Sequence, residues 1–245
     1  MLENYSGIVL KTSSVGESDR LITILTDKKG IIRAFVKRAK SPRNSNSSST
    51  QMLCYSKFSI YMGKTTNSVN SSIPIKLFFN LNKDIKKLAL AEYFCELALI
   101  LAPSGTTSED LLRLMLNAFH LLANTDKNIY IIKSVVELRA LSISGYMPDL
   151  IGCKKCHKYE SNITHFIPEE GVIYCDNCKS NKLGIKLDSS TLSAMRYIIY
   201  SEFNKIFSFK LPDDKLKLLS KATQSYVISV TDKNFKSLDF FELIK

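Results

Sequence analysis

The sequence predicts an α+β chain: a small five-stranded β-barrel first, then an α-helical domain interrupted by an inserted cysteine ribbon. Three observations carry that reading. Residues 1–78 hold short runs of alternating or branched residues closed by turn residues. After residue 80 the apolar period changes to that of a helix. Two Cys-x-x-Cys pairs, Cys153/Cys156 and Cys175/Cys178, then break the helical pattern. The expected divisions are a barrel over residues 1–79 and a helical domain over 80–245, with an insert at about 149–183.

The strands come first. Gly7-Ile8-Val9-Leu10 is a short apolar run, and Arg20 to Thr26 mixes polar with branched residues. Asp27-Lys28-Lys29-Gly30 supplies turn chemistry before a third run, Ile31 to Val36. Phe58 to Met62 alternates and stops at Gly63, and Ile73 to Phe78 offers the fifth strand. Five short strands with glycine and polar turns suit a small barrel. Between the third and fourth lies Ser41-Pro42-Arg43-Asn44-Ser45-Asn46-Ser47-Ser48-Ser49-Thr50, read as a flexible loop too hydrophilic to pack.

The helices follow. Asn82 can cap a helix whose apolar face runs from Ile85 to Leu99, ended by Pro103-Ser104-Gly105. Thr107 with Asp110 resembles a capping box ahead of Leu111, Leu114, Met115 and Ala118. Ile131 to Ser144 predicts a third helix, ended by Gly145 in the position after the cap. Beyond the cysteines, Ser189 opens a helix through Leu192, Met195 and Ile198, and Pro212-Asp213 opens another through Leu216, Leu219 and Tyr226. No internal repeat is present.

Composition narrows the class. The apolar share of 45% is ordinary for a soluble chain. The first residues do not read as a signal peptide, and the apolar runs are too short and too charged to span a membrane. A soluble cytoplasmic protein is expected. Lys and Arg number 34 against 23 for Asp and Glu, a net charge of +11. Such a surface attracts polyanions such as nucleic acid or a membrane face. A lysine-rich genome with an otherwise indifferent surface would give the same count.

The cysteines carry the sharpest signal. Cys153-x-x-Cys156 and Cys175-x-x-Cys178 are separated by 18 residues, the spacing of two zinc knuckles. Two intervening residues let each pair turn both thiolates onto one ion. Four thiolates complete a tetrahedron and leave no position for water, so one structural Zn²⁺ per chain is expected. Lys154, Lys155 and Lys179 would offset the dianionic centre. His157 and His165 read as bystanders, and Cys54 and Cys95, alone in apolar contexts, as buried small hydrophobes.

Enzyme signals are missing. There is no Walker-type loop, no dinucleotide-binding glycine motif and no nucleophile elbow. His120, on a predicted amphipathic helix, reads as a structural residue. Glu169 and Glu170 fall on the insert, and Glu17 and Asp19 lie within reach of Arg20 or Lys11, so no acid/base pair stands out.

At this point the residues carry a family likeness. Gly7-Ile8-Val9-Leu10, then Gly16-Glu17-Ser18-Asp19-Arg20-Leu21, then Leu25-Thr26 with Gly30, resembles the N-terminus of RecO recombination mediators. So does Glu137-Leu138-Arg139-Ala140-Leu141 running through Gly145-Tyr146-Met147-Pro148 into Cys153, followed by Phe166, Gly171 and the second cysteine pair. The likeness covers nearly the whole chain in order. It implies an oligonucleotide-binding (OB) barrel, a helical domain and a zinc ribbon. It also implies binding of single- and double-stranded DNA and annealing of complementary strands. With RecR, such proteins help RecA replace single-strand binding protein (SSB) in gap repair and recombination, and they hold the acidic C-terminal tail of SSB in a helical groove. RecA is thus an indirect partner, DNA, RecR and the SSB tail are direct ones, and the place of action is the nucleoid. One departure stands out: Lys37-Arg38-Ala39 replaces a Lys-Gly-Ala run, which removes a residue tolerant of positive φ.

Candidate DNA contacts are Lys28, Lys29, Arg33, Lys37, Arg38, Lys40 and Arg43, seven cations within sixteen positions. Strands and loops of a barrel can track a phosphate backbone with such residues. Phe35 and Tyr55 either stack on bases or belong to the core. Arg139, Lys133 and Arg113 are candidates for the acidic tail, with an ordinary helix-surface charge as the alternative for Arg139. Two rival readings remain at this level: a transcription regulator using the ribbon to recognise DNA, and a scaffold that binds only proteins.

Overall fold

The computed structural model describes residues 1–41, 44–179 and 184–245. Five strands form where the sequence alternates: β1 (Leu2–Val15), β2 (Asp19–Thr26), β3 (Gly30–Val36), β4 (Cys54–Tyr61) and β5 (Ser68–Leu77). They close into a barrel in the order β1-β2-β3-β5-β4, an OB-type architecture. Every pairing is antiparallel except the β3–β5 seam, which is parallel. Strand β1 is far longer than its apolar centre because it pairs with both β2 and β4. Ile22, Ile24, Ile32, Ala34, Val36, Phe58 and Ile60 point inward and fill the core. At Gly30 φ is +63°, and an added Cβ would lie 1.9 Å from the Pro103 carbonyl oxygen. Any side chain there meets both a backbone clash and left-handed strain.

Among the described residues the helices are α1 (Asn46–Ser49), α2 (Ile85–Leu101), α3 (Glu109–Asn124), α4 (Ile129–Ile143), α5 (Ser189–Tyr200), α6 (Asp213–Thr231) and α7 (Lys236–Ile244). Four further strands, β6 (Asp149–Cys153), β7 (Ile163–Ile167), β8 (Val172–Cys175) and β9 (Ile185–Asp188), form a second sheet in the order β6-β8-β7-β9. The chain divides into two compact units: Met1–Thr125 with Phe235–Lys245, and Asp126–Asn234.

In the first unit the polar segment after β3 does pack, against expectation. Residues 46–49 form α1, and Ser49 and Thr50 are fully buried. Asn46 Oδ1 accepts from the Ser72 N–H at 2.7 Å and from its hydroxyl at 2.8 Å. Ser56 donates to the Ser49 carbonyl at 2.8 Å, and Arg20 to that of Thr50 at 3.1 Å. Small hydroxyl and amide side chains seat this segment by satisfying buried backbone groups rather than by apolar contact. Pro42 and Arg43 lie outside the described residues.

Two caps also differ from the expected ones. Asp84, not Asn82, caps α2, accepting from the N–H groups of Lys86 and Lys87 at 2.9 and 3.2 Å. Thr107 makes no capping box; its hydroxyl donates to the Asp27 carbonyl at 3.0 Å, and Ser108 takes the N-cap place of α3. Helix α7 packs on α2, where Phe235 meets Tyr93 edge-on at 5.2 Å.

In the second unit α4 ends as expected. The N–H groups of Gly145 and Tyr146 donate back to Ser142 and Leu141 at 3.2 and 2.8 Å, a Schellman closure. Helix α6 packs along α4. Tyr226 of α6 meets Phe166 of the ribbon edge-on at 5.6 Å and donates to the Tyr146 carbonyl at 3.0 Å. These contacts fix the ribbon on the helices.

Candidate functional site

The four cysteines come together. Cys153 ends β6, Cys175 ends β8, Cys156 lies on the turn after β6, and Cys178 ends the single 3₁₀ turn after β8. Their sulfur atoms all lie within 4.8 Å of one another, and none is in a disulfide. Cys156 Sγ is 3.7 Å from Cys175 Sγ. A tetrahedron with ~2.3 Å metal–sulfur bonds has edges of ~3.8 Å, so the donor set fits a metal ion. Burial raises the Cys153 thiol, but backbone N–H groups of Cys156, Cys175 and Lys155 outweigh it and bring its pKa down to about 6. Cys178 is pushed up to about 12 by hydrogen bonding with the Cys156 and Cys175 sulfurs and by burial. Crowded sulfur atoms resist a further negative charge, and a bound cation would remove that resistance.

The surrounding groups hold the knuckles in place. His157 N–H donates to the Cys153 carbonyl at 2.8 Å, and the His157 φ of 59° turns the chain back. His165 sits 2.9 Å from Asp176 Oδ1, tying β7 to the turn that carries Cys178. That hydrogen bond, with the nearby Lys179, lowers the Asp176 pKa. His157 and His165 are therefore positioning residues beside the thiols. Arg196 of α5, which nothing in the local pattern singled out, donates to the carbonyls of Leu150, Ile151 and Tyr159 at 2.7, 2.9 and 2.9 Å. Such a staple depends on tertiary proximity that no short motif encodes.

The barrel cations fall along one hairpin. Lys28 and Lys29 occupy the β2–β3 turn, Arg33 the outward face of β3, and Lys37, Arg38 and Lys40 the turn after it. The two ends stand about 20 Å apart at ~3.3 Å per residue. Lys28, Arg33, Lys37, Arg38 and Lys40 are exposed and make no ion pair among the described residues. Lys29 is 3.7 Å from Glu3, whose carboxyl is held low by the Tyr5 hydroxyl and by Lys29. Arg43 lies outside the described residues. Arg38 adopts φ +50°, so it takes the left-handed place that a glycine would fill more easily. Asp19 accepts its N–H at 2.8 Å, and the Asn44 amide donates to the carbonyls of Lys37 and Arg38 at 2.7 and 3.1 Å. Phe35 and Tyr55 are half-buried on the outward faces of β3 and β4, outside the core. A cleft of ≈ 400 Å³ opens beside Tyr5, lined by Lys28, Lys57, Ser59, Ser71 and Ile73; Lys57 was not among the expected cations.

The three helical cations differ in environment. Lys133 is fully buried and pairs with Glu137 at 2.8 Å, while Thr223 donates to Glu137 at 2.5 Å. It cannot meet an acidic tail, because α4 is enclosed on the side that carries it. Arg139 donates to the carbonyls of Ile198 and Ile199 at the end of α5 and lies 5.8 Å from the Phe203 ring. Arg113 is exposed on α3 in the other unit.

A small closed barrel with a cationic hairpin, joined to helices bearing a four-thiol centre, defines an OB-type protein with a four-cysteine cluster able to hold a metal ion. The model for "Recombination protein O N terminal" matches residues 1–78, and that for "Recombination protein O C terminal" matches residues 82–239. The DNA repair protein RecO of Acetivibrio thermocellus is 33% identical over 98% of this chain and 96% of its own length. That of Alkaliphilus metalliredigens is 29% identical over 100% of both. The RecO of a Dehalococcoides mccartyi strain is 29% identical over 97% of this chain and 94% of its own length. The chain belongs to the RecO family, and its role is in DNA repair and recombination. Among the described residues no helix is long and apolar enough to cross a membrane.

Proposed function

We propose that this protein is a non-enzymatic recombination mediator that binds single- and double-stranded DNA through its barrel and anneals complementary strands. With RecR it helps RecA replace SSB on gapped DNA at the nucleoid, in the cytoplasm. The observation that supports this most is the β2–β3 hairpin, which presents Lys28, Arg33, Lys37, Arg38 and Lys40 to solvent. Spaced cations neutralise phosphates and leave base edges free to pair, which annealing requires. The lysine-lined cleft beside Tyr5 adds to the same surface. Of the cations considered for the SSB tail, exposed Arg113 and half-buried Arg139 are the two we retain.

The metal we assign to Cys153, Cys156, Cys175 and Cys178 is one structural Zn²⁺. Four thiolates would fill its shell, so its contribution is to lock the ribbon.

Annealing of complementary oligonucleotides without nucleotide cofactor is the test. The protein should accelerate pairing. In Arg38→Glu with Lys40→Glu, single-strand affinity should fall and its log–log salt slope flatten by roughly 1.4, two contacts at ~0.7 each. An unchanged slope would mean that the hairpin is merely a solvated face.

A further inference from the structure

A cleft on the ribbon has the build of a site for an unpaired nucleobase. The first knuckle, residues 153–158, closes through the Cys153 N–H on the Lys158 carbonyl at 3.0 Å. Tyr159 follows at once, with 58% of its surface exposed. Arg196 lies over its ring, 4.1 Å from the centroid. Three carbonyl hydrogen bonds already fix that guanidinium. One face of the ring is thus backed by a rigid cation, and its exposure lies on the other face and the edge. Such an aromatic ring stacks on bases of any sequence.

Beside it opens a cleft of ≈ 270 Å³, lined by Ser161, Asn162, Ser189 and Ser193 over Leu192. Hydroxyl and amide groups both donate and accept, so the edge of any base finds partners there. An apolar peptide side chain would find few. Glu160 on the rim disfavours a phosphate inside the cleft. Outside it, Lys154, Lys155 and Lys158 are exposed on the knuckle, Lys154 in a solvent-exposed pair with Asp149 at 4.0 Å that a phosphate can replace, and no acidic residue interrupts positions 153–159.

We propose that the ribbon carries a second single-strand site: a base stacks on Tyr159 with its edge in the cleft, and flanking phosphates follow Lys154, Lys155 and Lys158. This rests on the reading that the chain binds single-stranded DNA. It gives each unit a strand-binding surface of its own, which suits a protein that brings two strands together.

The test uses the full chain with an unstructured oligonucleotide, in the wild-type and Arg38→Glu/Lys40→Glu backgrounds. Tyr159→Ala should lower affinity about ten-fold in both, as loss of one stacked base does, while Tyr159→Phe retains it. The Tyr159 side chain makes none of the carbonyl bonds to Arg196, so circular dichroism and metal content should stay unchanged in both variants. A bromodeoxyuridine oligonucleotide should photocrosslink to the peptide containing Tyr159. Equal affinity of Tyr159→Ala and wild type overturns the proposal, as does a crosslink confined to the barrel. A wild-type chain that binds no single strand at low salt instead overturns the proposed function beneath it.

Discussion

Arg38 holds a backbone position that costs a side-chain-bearing residue about 1 kcal/mol. Asp19 and Asn44 hold the turn together around it. Arg38→Gly should therefore raise stability by about 0.5 to 1 kcal/mol, seen as a higher urea midpoint, while weakening DNA binding. A variant that gains stability and keeps full DNA affinity would detach the turn from DNA contact. The departure from Lys-Gly-Ala was legible in the sequence; the two side chains that compensate it were not, since Asp19 is 19 positions away. Lys133 shows the opposite failure. Expected to be free for an acidic tail, it is instead fully buried, as is Glu137 four residues later. The missed signal was the flanking sequence, Ile131-Ile132 and Val135-Val136, which makes α4 apolar nearly all round.

At the scale of elements, short-range rules carried furthest. The cysteine spacing and the Gly145 helix stop are local, and both appear as expected. The segment 44–50 misled because polar composition was equated with solvation. Its seat depends on Ser56, Ser72 and Arg20, which come from three different strands. Helix α7 was overlooked although Phe235, Leu238 and Phe241 recur every third position and are all buried. The ribbon is the element most dependent on a single device. Strand β6 meets β8 at only two register positions, with an irregularity between them. Cys153→Ser or Cys175→Ser should abolish stoichiometric metal in native mass spectra and open β6–β8 to hydrogen exchange. Barrel-borne DNA binding should survive. Full metal content in either variant would exclude these residues as ligands.

At the scale of the molecule, the chain order and the spatial order differ. Residues 126–234 form a unit of their own, and residues 235–245 return to the unit that holds the barrel. Phe235, Leu238 and Phe241 there are at most 2% exposed. Removing residues 235–245 would uncover Tyr93 and the apolar side of α2, which are fully buried with α7 in place. The expected outcome is a loss of several kcal/mol from the barrel-bearing unit, with residues 126–234 still folded, as read by domain-resolved proteolysis. Equal protease resistance of both units would show that α7 adds little.

That return has a consequence for how the protein is made. During translation the barrel strands leave the ribosome first, but the helix that seals their unit leaves after more than a hundred intervening residues. At ~5–20 residues per second, α2 stays uncovered for roughly 7 to 27 seconds. Throughout that interval the nascent chain exposes an apolar helix face, and a trigger-type chaperone has its longest opportunity to bind there.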